Sequence, residues 1–403
     1  MKLLNKMSAA CAVIFISSFL GVMAAENSFY AFAPCADAKL EKIVVLSRHG
    51  VRSPTQDYQT LSSWSKNDWP QWNVPSGYLT DRGYFLIKSQ WEHLKKILIK
   101  DSVYKNNLFK SVKIIADSDQ RTVKTAEAIR EGISSENTIY SDKKDVYPLF
   151  HPVKAGIVKL NAQDVQESII NRVNSTKQQD AINLIQTITN CCSQSICGRN
   201  APCNLSNIQD SVTVKDNDVK LLGEKAIASS IAEIFLLEYG QWTDRNAGWG
   251  QVDEKTLTKL LSLHNEVFDA LNRQNAVALS HGGTLLNALK NEINDRASHI
   301  AFFVGHDTNI SNIGGLADLT WSIPDQGVNS IPPGCAIVFL RWNSETENNQ
   351  YVTAAIAAPS IKFIHSENPD KERLFLISAN LNCEGKICSL TKFNKKIDRA
   401  LNR

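Results

Sequence analysis

The sequence predicts an α/β fold in which a mixed central sheet is flanked by helices and interrupted by an inserted, mostly α-helical domain. Three apolar, β-branched runs, at residues 43–47, 112–116 and 300–305, are typical of strands buried on both faces of a sheet. Each run ends in a polar corner that is followed by further polar or helical sequence. Residues 151–250 differ, because they combine helical patterns with a cysteine cluster. We therefore place the inserted domain there.

The first 24 residues have the layout of a secretory signal peptide. Lys2 and Lys6 form a basic start, residues 9–20 are apolar, and the small residues Ala24 and Ala25 follow. The apolar run is shorter than the roughly 20 residues that cross a bilayer, which disfavours an uncleaved membrane anchor. We therefore expect cleavage after Ala24 or Ala25 and export of the mature chain.

The remaining chain has the composition of a folded globular protein, with 43% hydrophobic and 21% charged residues over the whole sequence. The expected α/β domain comprises residues 25–150 and 251–403, and the inserted domain comprises residues 151–250. Removal of residues 1–24 takes away two lysines and no acid, so the net charge falls from +3 to +1. This balance gives no sign of a nucleic-acid partner. We expect a soluble monomer with no membrane association after cleavage.

Cysteine usage agrees with export. Of nine cysteines, one belongs to the signal peptide, and the even number that remains indicates disulfides: Cys35, Cys191, Cys192, Cys197, Cys203, Cys335, Cys383 and Cys388. Cys383 and Cys388 can close a small loop, and Cys203 is expected to pair with another member of the cluster 191–203. A zinc site in that cluster is disfavoured, because the compartment is oxidising and no CxxC spacing occurs.

The polar corner after the first strand contains two guanidiniums and an imidazole. Arg48, His49 and Arg52 follow directly on the buried run 43–47. Ligands of open α/β sheets bind where strands end, and arginine forks match the oxygens of phosphate. The corner therefore predicts a phosphate site with His49 at its centre.

The two other corners carry groups that suit the same chemistry. Arg121 and Thr122 follow the strand at 112–116, and His306 and Asp307 follow the strand at 300–305. Hydrolysis of a phosphomonoester needs a nucleophile in line with the leaving oxygen, positive charge on the phosphate oxygens and an acid for the leaving group. The three corners together offer all of these.

The pattern Arg-His-Gly-x-Arg-x-Pro at residues 48–54 resembles the signature of the histidine acid phosphatases. Arg121-Thr122 and His306-Asp307 resemble the two other motifs of that family, and the similarity to its bacterial phytase and glucose-1-phosphatase branch continues beyond residue 320. The resemblance implies a phosphoglycerate mutase-like fold. It also implies that His49 is the nucleophile, that the arginines hold phosphate and that Asp307 is the proton donor. The bacterial branch favours the periplasm; the alternative is an extracellular enzyme.

Physical chemistry gives each residue a consistent role. His49 attacks as a neutral ring and forms a phosphohistidine, and the nearby arginines lower its pKa. Arg48, Arg52 and Arg121 stabilise the developing charge, and His306 adds a donor. Asp307 must be protonated to act as the acid, so we expect an acid working range.

Two further residues are candidate substrate contacts. Thr55 closes the first corner, and Glu233 lies in a helical pattern similar to that of the bacterial branch, where a glutamate lies near the substrate. His264 falls on an apolar helical stripe and is expected to be a hydrogen-bonded core residue, whereas the glycines beside His281 suggest a loop.

The leading hypothesis is a phytase that acts on inositol hexakisphosphate. A glucose-1-phosphatase or a broad sugar-phosphate phosphatase is the alternative, because Thr55 is followed by the uncharged Gln56 and residues 275–284 contain no arginine. A mutase is disfavoured by export, and a non-catalytic phosphate-binding protein is disfavoured by the presence of both His49 and Asp307. No cofactor is expected, and no metal, because three arginines repel a divalent cation and no HxH or HExxH spacing occurs.

Overall fold

The computed structural model of the chain describes residues 28–142, 145–160, 162–197, 203–215, 218–383 and 388–402. The expected signal peptide lies outside these residues, and so do the side chains of Cys197 and of residues 162–164, 194, 214–215 and 218. Within the described part, none of the helices combines the length and apolar character needed to cross a bilayer.

The architecture is α/β, as predicted, and the described residues form a mixed central sheet of seven strands. The strand order across this sheet is β11-β10-β9-β1-β6-β2-β3. Strands β1, β6, β2 and β3 are parallel to one another, and β9, β10 and β11 add antiparallel neighbours at one side. These strands are β1 Lys39–Arg48, β2 Val112–Ala116, β3 Ile139–Tyr140, β6 Ile300–Gly305, β9 Ala336–Ser344, β10 Asn349–Pro359 and β11 Leu374–Ala379. Two short hairpins are separate, β4 Ser211–Lys215 with β5 Asp218–Leu222 and β7 Ser322–Ile323 with β8 Gly327–Val328.

Helices cover both faces of the sheet. In chain order they are α1 Tyr58–Trp64, α2 Asp81–Asp101, α3 Gln120–Gly132, α4 Ala162–Ser175, α5 Gln179–Thr189, α6 Gln194–Cys197, α7 Glu224–Gln241, α8 Glu254–Asn272, α9 Asn275–Asn294, α10 Asp307–Leu316, α11 Ile361–His365 and α12 Leu390–Leu401. Helix α2 is capped by Thr80, whose side chain accepts a hydrogen bond from the Gly83 N–H at 2.9 Å.

The side chains of β1 alternate between two hydrophobic cores, one on each face of the sheet. Ile43 and Val45 belong to the core under α2, α3, α7 and α8, whereas Val44 and Leu46 belong to the core under α9, α10 and α12. All four are essentially fully buried. A strand with apolar side chains on both faces reads as a continuous hydrophobic run, which is the pattern that predicted it.

The region 151–250 is mostly helical, but it also contains the antiparallel hairpin of β4 and β5, which the sequence did not indicate. Helix α7 packs along α8. Helix α5 contributes Ile182 and Ile185 to the hydrophobic core that covers one face of the sheet. This part of the chain therefore shares its core with the sheet. The division into domains at residues 150 and 250 stays a prediction.

The cysteines follow the expectation in part. Cys383 and Cys388 form the predicted small-loop disulfide. Cys191 is paired with its neighbour Cys192, and Cys203 is also disulfide-bonded. Contrary to expectation, Cys335 is a buried thiol outside any disulfide, at the start of β9.

Candidate active site

Backbone hydrogen bonds to β6 hold the three predicted corners together. Because β1, β6 and β2 are adjacent and parallel, their carboxyl ends meet at one edge of the sheet. The His49 N–H donates to the Gly305 carbonyl at 3.0 Å, and the Asp117 N–H donates to the Val304 carbonyl at 2.9 Å. His306 follows Gly305 directly. The corners that the sequence indicated as separate strand ends therefore form a single site.

His49 lies at the centre of this site and is 2% exposed. Its Nδ1 atom is 2.9 Å from the carbonyl oxygen of Gly50, which can only accept, so Nδ1 carries the proton and Nε2 has the free lone pair. Burial lowers the pKa of His49 well below its ordinary value, and the guanidiniums of Arg48, Arg52 and Arg121 lower it further. The ring is therefore neutral in acid, as a nucleophile requires.

Three guanidiniums surround the imidazole, those of Arg48 and Arg52 buried and that of Arg121 partly exposed. The Nε atoms of Arg48, Arg52 and Arg121 are buried and have no hydrogen-bond partner among the described residues. Burial lowers the pKa of Arg52 to about 10, so this side chain stays cationic through neutral pH. Buried donors without acceptors are costly, and a phosphate group offers several acceptor oxygens at once. The arrangement thus suits an oxyanion that offers an acceptor oxygen to each of the three N–H groups.

Carboxylates hold two of the arginines in place. Arg48 forms ion pairs with Glu233 and, at 2.9 Å, with Asp307, and it also donates to the Ile331 carbonyl. Arg121 forms an ion pair with Asp119 at 2.6 Å.

His306 caps the start of α10 and is fixed at both backbone and ring. Its N–H donates to the side-chain oxygen of Asn309 at 2.9 Å. Its Nε2 atom is 2.6 Å from Oδ2 of Asp117, and its Nδ1 atom is 3.4 Å from the Arg121 guanidinium. The ring of His306 lies edge-on to that of His49, with a centroid separation of 5.6 Å.

Asp307 is ionised when the site is empty. Burial raises its pKa, but the charges of Arg48 and Arg52 outweigh that effect and lower the value to about 2. Sequence reasoning required a protonated Asp307 in acid, and the isolated site does not provide one. A bound phosphate that neutralises the arginines raises the pKa of this carboxyl and removes the discrepancy.

The two candidate substrate contacts occupy different positions. Glu233 extends from α7 to Arg48, and its second oxygen is 3.6 Å from Nε2 of His264. His264 itself is hydrogen-bonded to Ser229, as expected for a core histidine. Thr55 is exposed at the rim, where Gly77 separates it from Arg121. Gly77 has a φ of +76°, which favours glycine and lets its carbonyl accept from Arg121.

Sequence reasoning missed the acidic and histidine neighbours of His306. Asp117, Asp119, His151 and His306 place ligand-type atoms within 4.8 Å of one another. These are residue types that hold metals, but the guanidinium of Arg121 already contacts Asp119, and a cation there disfavours a divalent ion. The position of Asp117 directly after a buried strand was an available signal, whereas His151 lies in a stretch without a regular pattern.

A sheet-edge site with a buried neutral histidine, three arginines and a carboxylate defines a phosphate-handling enzyme. Comparison with known proteins agrees with this class: the family model described as "Histidine phosphatase superfamily (branch 2)" matches residues 39–356. The Escherichia coli (strain K12) protein phytase AppA is 30% identical, over 95% of this chain and 96% of its own length. A glucose-1-phosphatase of Providencia rettgeri is 23% identical, over 91% of this chain and 93% of its own length.

A solved structure is similar throughout. The phytase of Hafnia alvei, in complex with myo-inositol hexakis sulphate, superposes with a TM-score of 0.83 at 29% identity, and the match covers 91% of this chain and 98% of that one. The chain belongs to branch 2 of the histidine phosphatase superfamily. It is a histidine acid phosphatase, a hydrolase of phosphoric monoesters whose substrates are small molecules.

Proposed function

We propose that this enzyme is a periplasmic, phytase-like acid phosphatase in which His49 forms a phosphohistidine. The observation that carries the proposal is the set of three buried guanidinium Nε atoms that lack a hydrogen-bond partner within the described part of the chain and lie around a buried, neutral imidazole. Inositol hexakisphosphate is the leading substrate because phytase AppA is the more similar curated relative and the phytase of Hafnia alvei accommodates the hexakis sulphate analogue.

In the first half-reaction, Nε2 of His49 attacks phosphorus and the bond to the leaving oxygen breaks. The hydrogen bond from Nδ1 to the Gly50 carbonyl orients the ring and stabilises the positive charge that the ring acquires. Arg48, Arg52 and Arg121 bind the equatorial oxygens, where negative charge lies in the transition state. His306 contributes a further donor once it is protonated.

The leaving oxygen needs a proton, and in acid the substrate itself brings one. The second pKa of a phosphate monoester is about 6, so the substrate enters as a monoanion below that pH. Asp307, ionised beside Arg48, takes up that proton as the phosphate neutralises the arginines, and passes it to the leaving oxygen. Asp307 therefore does not need to be protonated before the substrate binds.

In the second half-reaction, water hydrolyses the phosphohistidine. The carboxylate of Asp307, having lost its proton, accepts one from the attacking water as the N–P bond breaks. Asp307 then passes this proton to the departing phosphate, so that neutral His49 and ionised Asp307 are regenerated.

The proposed location follows from the N-terminal pattern. Residues 1–24 have the layout of a signal peptide, and disulfide-bonded cysteines agree with an oxidising compartment. We favour the periplasm, with secretion to the medium as the alternative. N-terminal sequencing of the mature protein from a periplasmic extract tests this; a start at Met1 contradicts it.

Glucose 1-phosphate is the second candidate substrate. Thr55 is exposed and is followed by the uncharged Gln56, so neither of these two residues offers a cation to a second phosphate group. Such a rim suits a ligand with a single phosphate.

The test is phosphate release from inositol hexakisphosphate, glucose 1-phosphate and an aryl phosphate at acid pH, with His49→Ala compared with the wild type. We expect the highest kcat/KM for inositol hexakisphosphate and no turnover by the variant. A preference for glucose 1-phosphate supports the second candidate, and wild-type rates in His49→Ala overturn the mechanism.

A further inference from the structure

His151 borders the site, although it lies in none of the three sequence motifs. Its Nε2 atom is 2.6 Å from Oδ2 of Asp117, the same oxygen that lies 2.6 Å from Nε2 of His306. The two imidazole centroids are 5.2 Å apart. The Asp117 side chain is fully buried, whereas that of His151 is 28% exposed. One carboxylate oxygen therefore joins a buried imidazole and one that solvent can reach.

Hydrogen bonds of the Asn309 side chain connect the backbone segments that carry the two histidines. Asn309, in the first turn of α10, accepts from the His306 N–H and donates its side-chain amide to the Phe150 carbonyl at 3.0 Å. The His151 N–H donates to the Tyr147 carbonyl at 3.0 Å. The backbone at His306 and the backbone just before His151 are thus held by the same asparagine.

The oxygen of Asp117 that the two imidazoles share determines the tautomer of His306. A carboxylate oxygen accepts, so Nε2 of each imidazole carries a proton. Nδ1 of His306 is then the atom left near Arg121, and it can donate to a substrate phosphate only when the ring is protonated on both nitrogens. Phosphate binding by His306 therefore requires the imidazolium form.

We propose that His151 is a positioning residue: beside the carboxylate that it shares with His306, its charge disfavours the imidazolium of His306 and thereby limits the pH range in which His306 donates to the substrate phosphate. The inference rests on the proposed role of His306 as a phosphate donor. His151 neither touches the reacting atoms nor replaces His306; it acts through the shared carboxylate.

The charges around His306 determine whether a substitution at position 151 raises or lowers the pKa of His306. Burial lowers the pKa of His306, the hydrogen bond to Asp117 opposes this, and the charges of Arg121 and His151 lower it again. The titratable and charged groups that face the ring come from β1, β2, α3 and α10 and their ends: His49, Asp117, Asp119, Arg121 and Asp307. Removal of the His151 charge thus favours the imidazolium of His306 and extends phosphate binding to higher pH.

Two substitutions at one position vary the charge beside Asp117 while each keeps a hydrogen-bond donor for its carboxylate. His151→Asn keeps a hydrogen-bond donor for Asp117 but cannot become charged, and His151→Arg supplies a permanent cation. We expect the alkaline limb of the pH profile of kcat/KM for an aryl phosphate to move to higher pH in His151→Asn. At a pH on the wild-type limb, kcat/KM of this variant should exceed that of the wild type by on the order of threefold. In His151→Arg the limb moves to lower pH. The change lies in KM, while kcat in acid stays close to that of the wild type.

The matched control is His93→Asn on α2, whose charged neighbours Lys96 and Asp370 lie outside the site. It leaves the limb in place. NMR titration of the His306 ring nitrogens in each variant reports the same shift without reference to activity. If both variants at position 151 keep the wild-type limb and the His306 titration, the inference fails while the phosphatase mechanism stands. If His306→Ala leaves KM unchanged, the assigned role of His306 and the inference fail together.

Discussion

Glu233 of α7 forms a buried ion pair with Arg48 of β1, although 185 residues separate them in the sequence. Arg48 also contacts Asp307 at 2.9 Å, so one guanidinium serves two carboxylates as well as the proposed phosphate. Neutralisation by Glu233 weakens the attraction of Arg48 for an anion. We therefore expect Glu233 to hold Arg48 in position and to lower the affinity of the site for phosphate.

Glu233→Gln is expected to bind inorganic phosphate more tightly, with an inhibition constant lower by on the order of threefold. Its free energy of unfolding should fall by about 1–3 kcal/mol, because a charge-assisted hydrogen bond is lost. Inhibition assays and urea denaturation measure the two quantities. The matched control is Glu238→Gln on the same helix, where burial raises the carboxyl pKa to about 7 and the group is already neutral in acid. An unchanged or weaker phosphate affinity in Glu233→Gln contradicts the interpretation.

Asp307→Asn should reveal the proton transfer through the leaving group. For an alkyl phosphate we expect kcat to fall by roughly 10²- to 10⁴-fold, because a poor leaving group needs the proton. For a 4-nitrophenyl ester the first half-reaction should be nearly spared, and phosphohistidine should accumulate because no carboxylate activates water. Stopped-flow assays and acid quenching measure both. Asp318→Asn, at an exposed position after α10, is the control. Equal losses for the two esters would exclude Asp307 as the acid.

The lowered pKa of His49 predicts opposite effects of acid on activity and stability. Burial and the arginines hold the pKa of His49 well below 6.5, so the proposed nucleophile stays neutral in acid. In the unfolded chain the same ring is protonated as the pH falls through about 6.5, so the unfolded state binds the extra proton and is favoured. The contribution of His49 to stability is thus present above pH 6.5 and is lost below it.

Urea denaturation between pH 7.5 and 5 measures this linkage. We expect the wild type to lose more stability over that interval than His49→Asn, which has no proton to bind. A wild-type loss no larger than that of the variant would mean that the ring is not held neutral.

The three corners of the site were predictable because each follows a run of apolar residues long enough to be a buried strand. Parallel strands of one sheet end at the same edge, so Arg48, Arg121 and His306 were expected to converge. The order of the strands was not available from the sequence. It places β6 between β1 and β2, and this order puts His306 beside both Asp117 and His49.

Contacts between distant elements were beyond sequence reasoning. His151 has no periodic neighbours, and its partner Asp117 is 34 residues away. The residues around His281 were expected to be a loop because of two adjacent glycines, yet they lie within α9. A Cβ atom on Gly282 would lie 2.8 Å from Cβ of Asn312, so the glycine permits close packing of α9 on α10. Packing against a partner helix outweighs the low helix propensity of glycine.

We expect full activity in excess chelator. The place where a metal would have to bind to contradict this is the group of Asp117, Asp119, His151 and His306. Their ligand-type atoms lie within 4.8 Å of one another, so a metal-dependent mechanism would have a place to act. Against it, Arg121 contacts Asp119 at 2.6 Å, and both imidazoles donate to Asp117. Dialysis against EDTA should leave kcat/KM for an aryl phosphate unchanged. A loss of activity that zinc restores in the wild type, but not in His151→Asn, would assign the hydrolysis to a metal at this group instead.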